Sequence, residues 1–124
     1  MSDTCKIMIV DDDAFIRRPL EHIFRAEGFV PVTAEDGEQC LRLVDEDPPS
    51  LIFLDVMMPG RDGFDVCETL KNDPRTAGIP IILLSARGQE VDRQRGLSLG
   101  AADFMTKPYS PTELLRRVRE ILSR

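Results

Sequence analysis

Short, continuous apolar runs alternate along the chain with longer stretches in which apolar residues recur every three or four positions. The runs Cys5–Val10 (CKIMIV), Phe29–Ala34 (FVPVTA), Leu51–Leu54 (LIFL), Ile79–Leu84 (IPIILL) and Ala102–Thr106 (ADFMT) have the length and composition of strands. The first, third and fourth are apolar at nearly every position, as expected of strands covered on both faces of a parallel sheet. Pro31 cannot donate to a ladder, which sends the second strand to an edge.

Helical stripes lie between the runs. Ile16, Leu20, Ile23 and Phe24 form the first and stop at Gly28; Cys40, Leu41 and Val44 form the second; Phe64, Cys67 and Leu70 form the third. Pro19 falls beyond the first turn of its helix, removes a backbone hydrogen bond there and is expected to kink or loosen it. Gly88–Gly100 reads as a weaker helix with only Val91, Leu97 and Leu99 to bury. The last stripe is the clearest: Ser110 is placed to cap, Pro111 takes the first helical position and Glu113 the capping-box position. Leu114, Leu115, Val118, Ile121 and Leu122 then share one face. Asp47-Pro48-Pro49 and Asn72-Asp73-Pro74 read as turns within one domain spanning residues 1–124, either a stand-alone protein or one cut from a longer chain.

A strand–helix unit repeated in this way implies an α/β fold with a parallel sheet, right-handed crossovers and helices on both faces. Ligands of such open sheets gather at the carboxyl ends of the strands. Strand one runs into Asp11-Asp12-Asp13, strand three into Asp55, strand four into Ser85 and strand five into Lys107. Taken singly, each is an ordinary loop residue, cap or turn. Four reactive groups on four strand ends are a shared rim.

Composition narrows the setting of that rim. With 124 residues, 42% of them hydrophobic and 31% charged, the chain is long enough for one core. A formal net charge of -6 leaves no dominant basic surface, so direct nucleic-acid binding is not expected. No apolar run approaches the roughly 20 residues of a membrane helix, the first residues are not a secretory signal, and a cytoplasmic location is expected. Cys5, Cys40 and Cys67 are odd in number, lie far apart and sit among apolar residues, as reduced, buried thiols would. His22, the one histidine, is on the first helix rather than at the rim and reads as a surface residue.

The chemistry of the rim is complementary. Two carboxylates about 5 Å apart repel by about 3 kcal/mol at an effective dielectric near 20, so three or four of them call for a cation. An all-oxygen set with few protein ligands suits Mg²⁺, which pairs with phosphoryl groups. Lys107 offers a fixed positive charge and Ser85 a hydroxyl donor, both suited to the equatorial oxygens of a transferring phosphoryl group.

In order, the segments VDDD, LDVMMPGRDGF, LLSA and TKPYSP resemble the receiver domain of two-component response regulators, and the resemblance covers essentially the whole chain. It implies a flavodoxin-like, doubly wound five-stranded parallel sheet of order 2-1-3-4-5 with five helices. It also implies that Asp55 is the phosphoacceptor, taking a phosphoryl group from a sensor histidine kinase or histidine phosphotransfer protein. Asp12 and Asp55 would ligate Mg²⁺ with the backbone carbonyl of Met57, and Asp11 would act mainly through a bound water. Ser85 would be the switch hydroxyl, Lys107 its cationic partner before a cis peptide to Pro108, and Phe104 the aromatic switch. The readout would be the face made by the fourth helix, fifth strand and fifth helix. A homodimer through that face would pair Arg93 with Glu113 and Asp103 with Arg117, although Glu113 and Arg117 are also an ordinary i,i+4 pair on one helix. Met57 and Arg87 would shield the acyl phosphate, so self-dephosphorylation is expected to be slow. The same resemblance makes the chain a signalling phosphoacceptor rather than an enzyme with an external substrate.

Two other classes compete. The segment IMIVDDDAF also approximates the haloacid-dehalogenase phosphatases, with Asp11 and Asp13 as the acid pair. Against it, Phe15 stands where Thr or Val is usual, no acid pair follows strand four, and there is no room for a cap. The third class is an interaction module that keeps the fold without receiving phosphate; the presence of Asp55 and Lys107 argues against it.

Overall fold

The computed structural model describes residues 5–86 and 88–124. Its elements alternate strictly: β1 (Lys6–Val10), α1 (Ala14–Ala26), β2 (Val30–Ala34), α2 (Gly37–Glu46), β3 (Leu51–Asp55), α3 (Gly63–Lys71), β4 (Ile81–Ser85), α4 (Glu90–Ser98), β5 (Asp103–Thr106) and α5 (Pro111–Leu122). The strands form one sheet of order β2-β1-β3-β4-β5, and each neighbouring pair runs parallel. Order, direction and the edge position of Pro31 agree with the sequence reading, and the strands differ from it by one or two residues at their ends.

Alternation along each strand splits the apolar residues between two cores. Met8, Val10, Ile52, Leu54, Ile81 and Leu83 face α2, α3 and α4 with Val44, Phe64 and Phe104. Ile7, Ile9, Leu51, Phe53, Ile82 and Leu84 face α1 and α5 with Leu20, Phe24 and Val118. Phe24 and Phe53 pack at 5.3 Å between ring centroids, fixing α1 over the middle of the sheet. Fully burying one such ring contributes about 1.5–3 kcal/mol. These two buried faces explain why the inner strands carry no polar alternation.

Acidic side chains start three of the helices. Asp13 accepts from the Phe15 amide at 2.8 Å, Asp36 from the Gln39 amide at 2.8 Å and Asp62 from the Asp65 amide at 2.9 Å. Each satisfies an otherwise orphaned N–H and sits at the positive end of the helix dipole. Ser110 caps α5 as its spacing indicates, accepting from Glu113 N at 3.3 Å, with Pro111 in the first turn. The Glu113 carboxylate itself accepts from Arg116 and Arg117 at 2.6 and 2.8 Å.

Two expectations of burial change, at Val91 and at Cys5. Pro19 lies inside α1, which runs from Ala14 to Ala26; the carbonyl it orphans belongs to the exposed Phe15, where water can take the lost donor's place. Val91 is 73% exposed rather than buried, and the buried residue of α4 is Gly96. A Cβ on Gly96 would lie 2.6 Å from Leu83 Cδ1 and 3.4 Å from the Phe104 ring, so this helix docks by the absence of a side chain. Cys40 and Cys67 are buried free thiols, while Cys5 is only half-buried. Among the described residues no helix is long and apolar enough to cross a membrane.

Candidate functional site

The sheet's register brings the rim residues level. Val10 lies beside Leu54, Asp55 beside Leu84, and Ser85 beside Thr106. Backbone bonds beyond the ladders hold the exits: Asp11 N donates to Ala34 O at 3.1 Å, Val56 N to Leu84 O at 2.9 Å, and Lys107 N to Ser85 O at 2.8 Å. Each strand therefore releases its last residue at a fixed height above the sheet.

Asp11, Asp12 and Asp55 each offer a carboxylate oxygen, and the three oxygens lie within 4.8 Å of one another. Asp11 and Asp55 are only 2% and 4% exposed, whereas Asp12 faces solvent. Lys107 Nζ donates to Asp11 Oδ2 at 3.0 Å and to Asp55 Oδ1 at 3.1 Å, joining the end of β5 to the ends of β1 and β3. Its peptide to Pro108 is cis. Asp11 Oδ1 accepts from the Asp13 amide at 2.9 Å.

Electrostatics at the rim are opposed. Burial pushes the Asp55 carboxyl above the usual carboxylate range and the Asp11 charge adds to it, against the pull of Lys107 and a backbone hydrogen bond from Met57. For Lys107, burial favours the neutral amine, but the hydrogen bonds and charges of Asp11 and Asp55 outweigh it and raise the ammonium. One lysine thus partly neutralises two crowded acids, and the three-carboxylate cluster has room for a further cation. Its all-oxygen donor set fits a hard divalent ion such as Mg²⁺.

Ser85 is buried at the end of β4, and Phe104 is buried under α4 beside Gly96. The exposed Met57 follows the acid in the loop after β3. Arg87 lies outside the described residues. Asp103 and Arg117 pair within one chain, and Arg117 also holds Glu113 at 2.8 Å. Arg93, at 4.0 Å from Glu90, is beside its own helix neighbour. Asp13 is spent on capping α1 and is not part of the carboxylate cluster, so the phosphatase pattern loses its second acid.

Two residues of the site were not singled out from sequence. Gly63 opens α3 so close to the phosphoacceptor candidate that a Cβ there would lie 2.4 Å from Asp55 O and 2.8 Å from Val56 Cα. Its position after Asp62, the α3 cap, is the signal that pointed to it. Arg17, on α1, donates from Nη1 to the Asp11 carbonyl at 2.8 Å; nothing in the local pattern distinguishes it from Arg18.

Comparison with known proteins agrees with this geometry. Residues 7–119 match the family model described as the response regulator receiver domain. The chain is 45% identical over 119 residues to a probable transcriptional regulator, ycf27, of Guillardia theta, covering 96% of this chain and 46% of that protein. It is 42% identical over 119 residues to the phosphate regulon transcriptional regulatory protein PhoB of Escherichia coli, covering 96% of this chain and 52% of that protein. The chain thus spans about half the length of the curated relatives it matches. A crystal structure of a putative response regulator from Chloroflexus aurantiacus superposes with a TM-score of 0.94 at 34% identity, covering 98% of this chain and 100% of that one. With its sheet order, its acidic rim and these relatives in agreement, the chain belongs to the receiver domains of two-component response regulators.

Proposed function

We propose that this domain accepts a phosphoryl group on Asp55 from a phosphohistidine of a sensor kinase or phosphotransfer protein, in a Mg²⁺-dependent reaction. The observation that carries the reading is the meeting of Asp11, Asp12 and Asp55 within 4.8 Å, with Lys107 bonded to two of them. An Asp55 carboxylate oxygen attacks phosphorus, the P–N bond breaks, and the imidazole leaves with the electron pair and takes up a proton from solvent. Mg²⁺, held by Asp12, Asp55 and the Met57 carbonyl, with Asp11 acting through water, would offset charge on the transferring group. Lys107 supplies a second, permanent positive charge there, and Ser85 a hydroxyl.

The phosphodonor has a surface to approach. An apolar groove of about 530 Å³ runs beside the rim between α1 and the start of α5, lined by Phe15, Pro19, Lys107, Pro108 and Tyr109. Phe15 is 87% exposed at its edge. Output is read at α4–β5–α5, where Phe104 and the thinly packed α4 respond to the phosphoryl group, and where Arg93, Asp103, Glu113 and Arg117 form a candidate dimer face. The longer relatives named as transcriptional regulators support an effector beyond this domain, and its action is placed in the cytoplasm as part of the same reading. Exposed Met57, two residues after Asp55, would shield an acyl phosphate formed there and slow its hydrolysis.

Acetyl phosphate with Mg²⁺, followed by intact mass, tests the reading. A single phosphoryl adduct is expected on the wild type and none on Asp55→Asn. An adduct that survives Asp55→Asn would refute the assignment, and turnover of small phosphate esters lost in Asp11→Asn would favour a phosphatase.

A further inference from the structure

The three acids of the β1–α1 loop are held by different means. Asp13 is fixed as the cap of α1, and the Asp11 carboxylate is fixed by Lys107 and the Asp13 amide. Asp12 is exposed, and among the described residues its side chain has no hydrogen bond. What places its carboxylate within reach of Asp11 and Asp55 is therefore its backbone.

That backbone is held from one side by Arg17. Arg17 is a half-buried residue near the start of α1, and its guanidinium donates from Nη1 to the Asp11 carbonyl oxygen at 2.8 Å. The carbonyl belongs to the planar peptide joining Asp11 to Asp12, so fixing its oxygen fixes the orientation of the link between two of the three carboxylates. On the other side, the Asp11 amide is tied to Ala34 O at 3.1 Å. Arg17 differs from Lys107 in a way that matters for a cation: Lys107 occupies carboxylate oxygens, whereas Arg17 binds a main-chain oxygen and leaves the carboxylates available. It also brings a permanent positive charge to a loop of three acids.

We propose that Arg17 is a positioning residue for the divalent-cation site, holding the Asp11–Asp12 peptide so that the Asp12 carboxylate is presented to the ion. The proposal rests on the reading of the acidic rim as a Mg²⁺ site. It places the control of metal affinity on α1, the helix that also borders the apolar groove.

The test uses the full chain and MgCl₂ as the probe, with binding measured by isothermal titration calorimetry and phosphorylation by acetyl phosphate measured across a Mg²⁺ series. Arg17→Met removes the donor while keeping the stem. Its Mg²⁺ Kd is expected to rise about tenfold, the scale of losing a group that orients a metal ligand. At saturating Mg²⁺ the phosphorylation rate is expected to return to within about twofold of wild type, and Arg17→Lys to recover part of the lost affinity. Arg17→Gln repeats the measurement should the methionine variant melt early. A Kd within about twofold of wild type in folded Arg17→Met, or a lower plateau rate with unchanged Kd, overturns the proposal. Wild type that binds Mg²⁺ but takes no phosphoryl group would defeat the reading of Asp55 instead, with Arg17 still decided by calorimetry.

Discussion

The surroundings of Asp55 disfavour its ionised form. Burial and the Asp11 charge both favour its neutral form, and Lys107 with the Met57 backbone only partly compensates. Its folded-state pKa therefore lies above its unfolded one, so the folded chain binds more protons across that interval and stability falls as pH rises through it. Above it the carboxylate remains a net cost in the absence of metal. Asp55→Asn, which removes the charge and nearly keeps the shape, is expected to melt higher than wild type near pH 7 without Mg²⁺. The gap should close as pH falls below the ordinary carboxylate range, where both side chains are neutral. Thermal unfolding followed by circular dichroism from pH 3 to 7 checks this; a lower melting point for Asp55→Asn at neutral pH would mean that its bond to Lys107 outweighs the repulsion.

Among the elements, α3 and α4 are both set by a glycine, and the two glycines tolerate change differently. At Gly63 an added methyl meets main chain, 2.4 Å from Asp55 O, and the backbone carrying Asp55 would have to move. At Gly96 it meets Leu83 Cδ1 at 2.6 Å, the mobile end of a side chain. Overpacking a close contact costs about 1–3 kcal/mol, and a clash with backbone belongs at the upper end. Urea unfolding is expected to rank Gly63→Ala about 3 kcal/mol below wild type and Gly96→Ala about 1 kcal/mol below, with the adduct yield lost mainly in the former. The reverse ranking would show that α4 is docked more tightly than its exposed surface suggests. That surface suits the readout proposed for α4: with Gly96 as its buried residue and Arg95 stacked 4.3 Å over the Phe64 ring, few contacts need to change to shift it.

For the whole molecule, the sheet separates two tasks. Its carboxyl edge gathers the acids, while the α4–β5–α5 face carries Asp103, Glu113 and Arg117 as an ion-pair group within one chain. A homodimer through that face must re-use these partners across the two-fold axis, and Arg117 is the residue that both arrangements need. Sedimentation velocity is expected to show a larger dimer fraction after phosphorylation. Arg117→Ala should weaken that dimer by about tenfold or more, since truncating one partner strands the other charge. A phosphorylated wild type that stays monomeric at tens of micromolar would remove the dimer from the output.

The linear order of residues was enough to establish the strands, the helices, the parallel sheet and the acid and lysine at its rim, because burial on two faces leaves continuous apolar runs whose ends can be read directly. The resemblance carried by VDDD, LDVMMPG and TKPYSP supplied the strand order, which the sheet shows, and the roles proposed for the rim residues. Only the tertiary structure decided how the acids divide their work. Asp11 and Lys107 are 96 residues apart and Asp55 and Lys107 are 52 apart, so their contact depends on sheet register rather than on any local pattern. Asp13 looks like its two neighbours in sequence and is a helix cap; Arg17 looks like Arg18 and reaches the Asp11 carbonyl; Val91 looks like a core residue and Gly96 takes its place. In each case the choice was made by which side of a helix faces the sheet and how closely two backbones approach, and neither is encoded in periodicity alone.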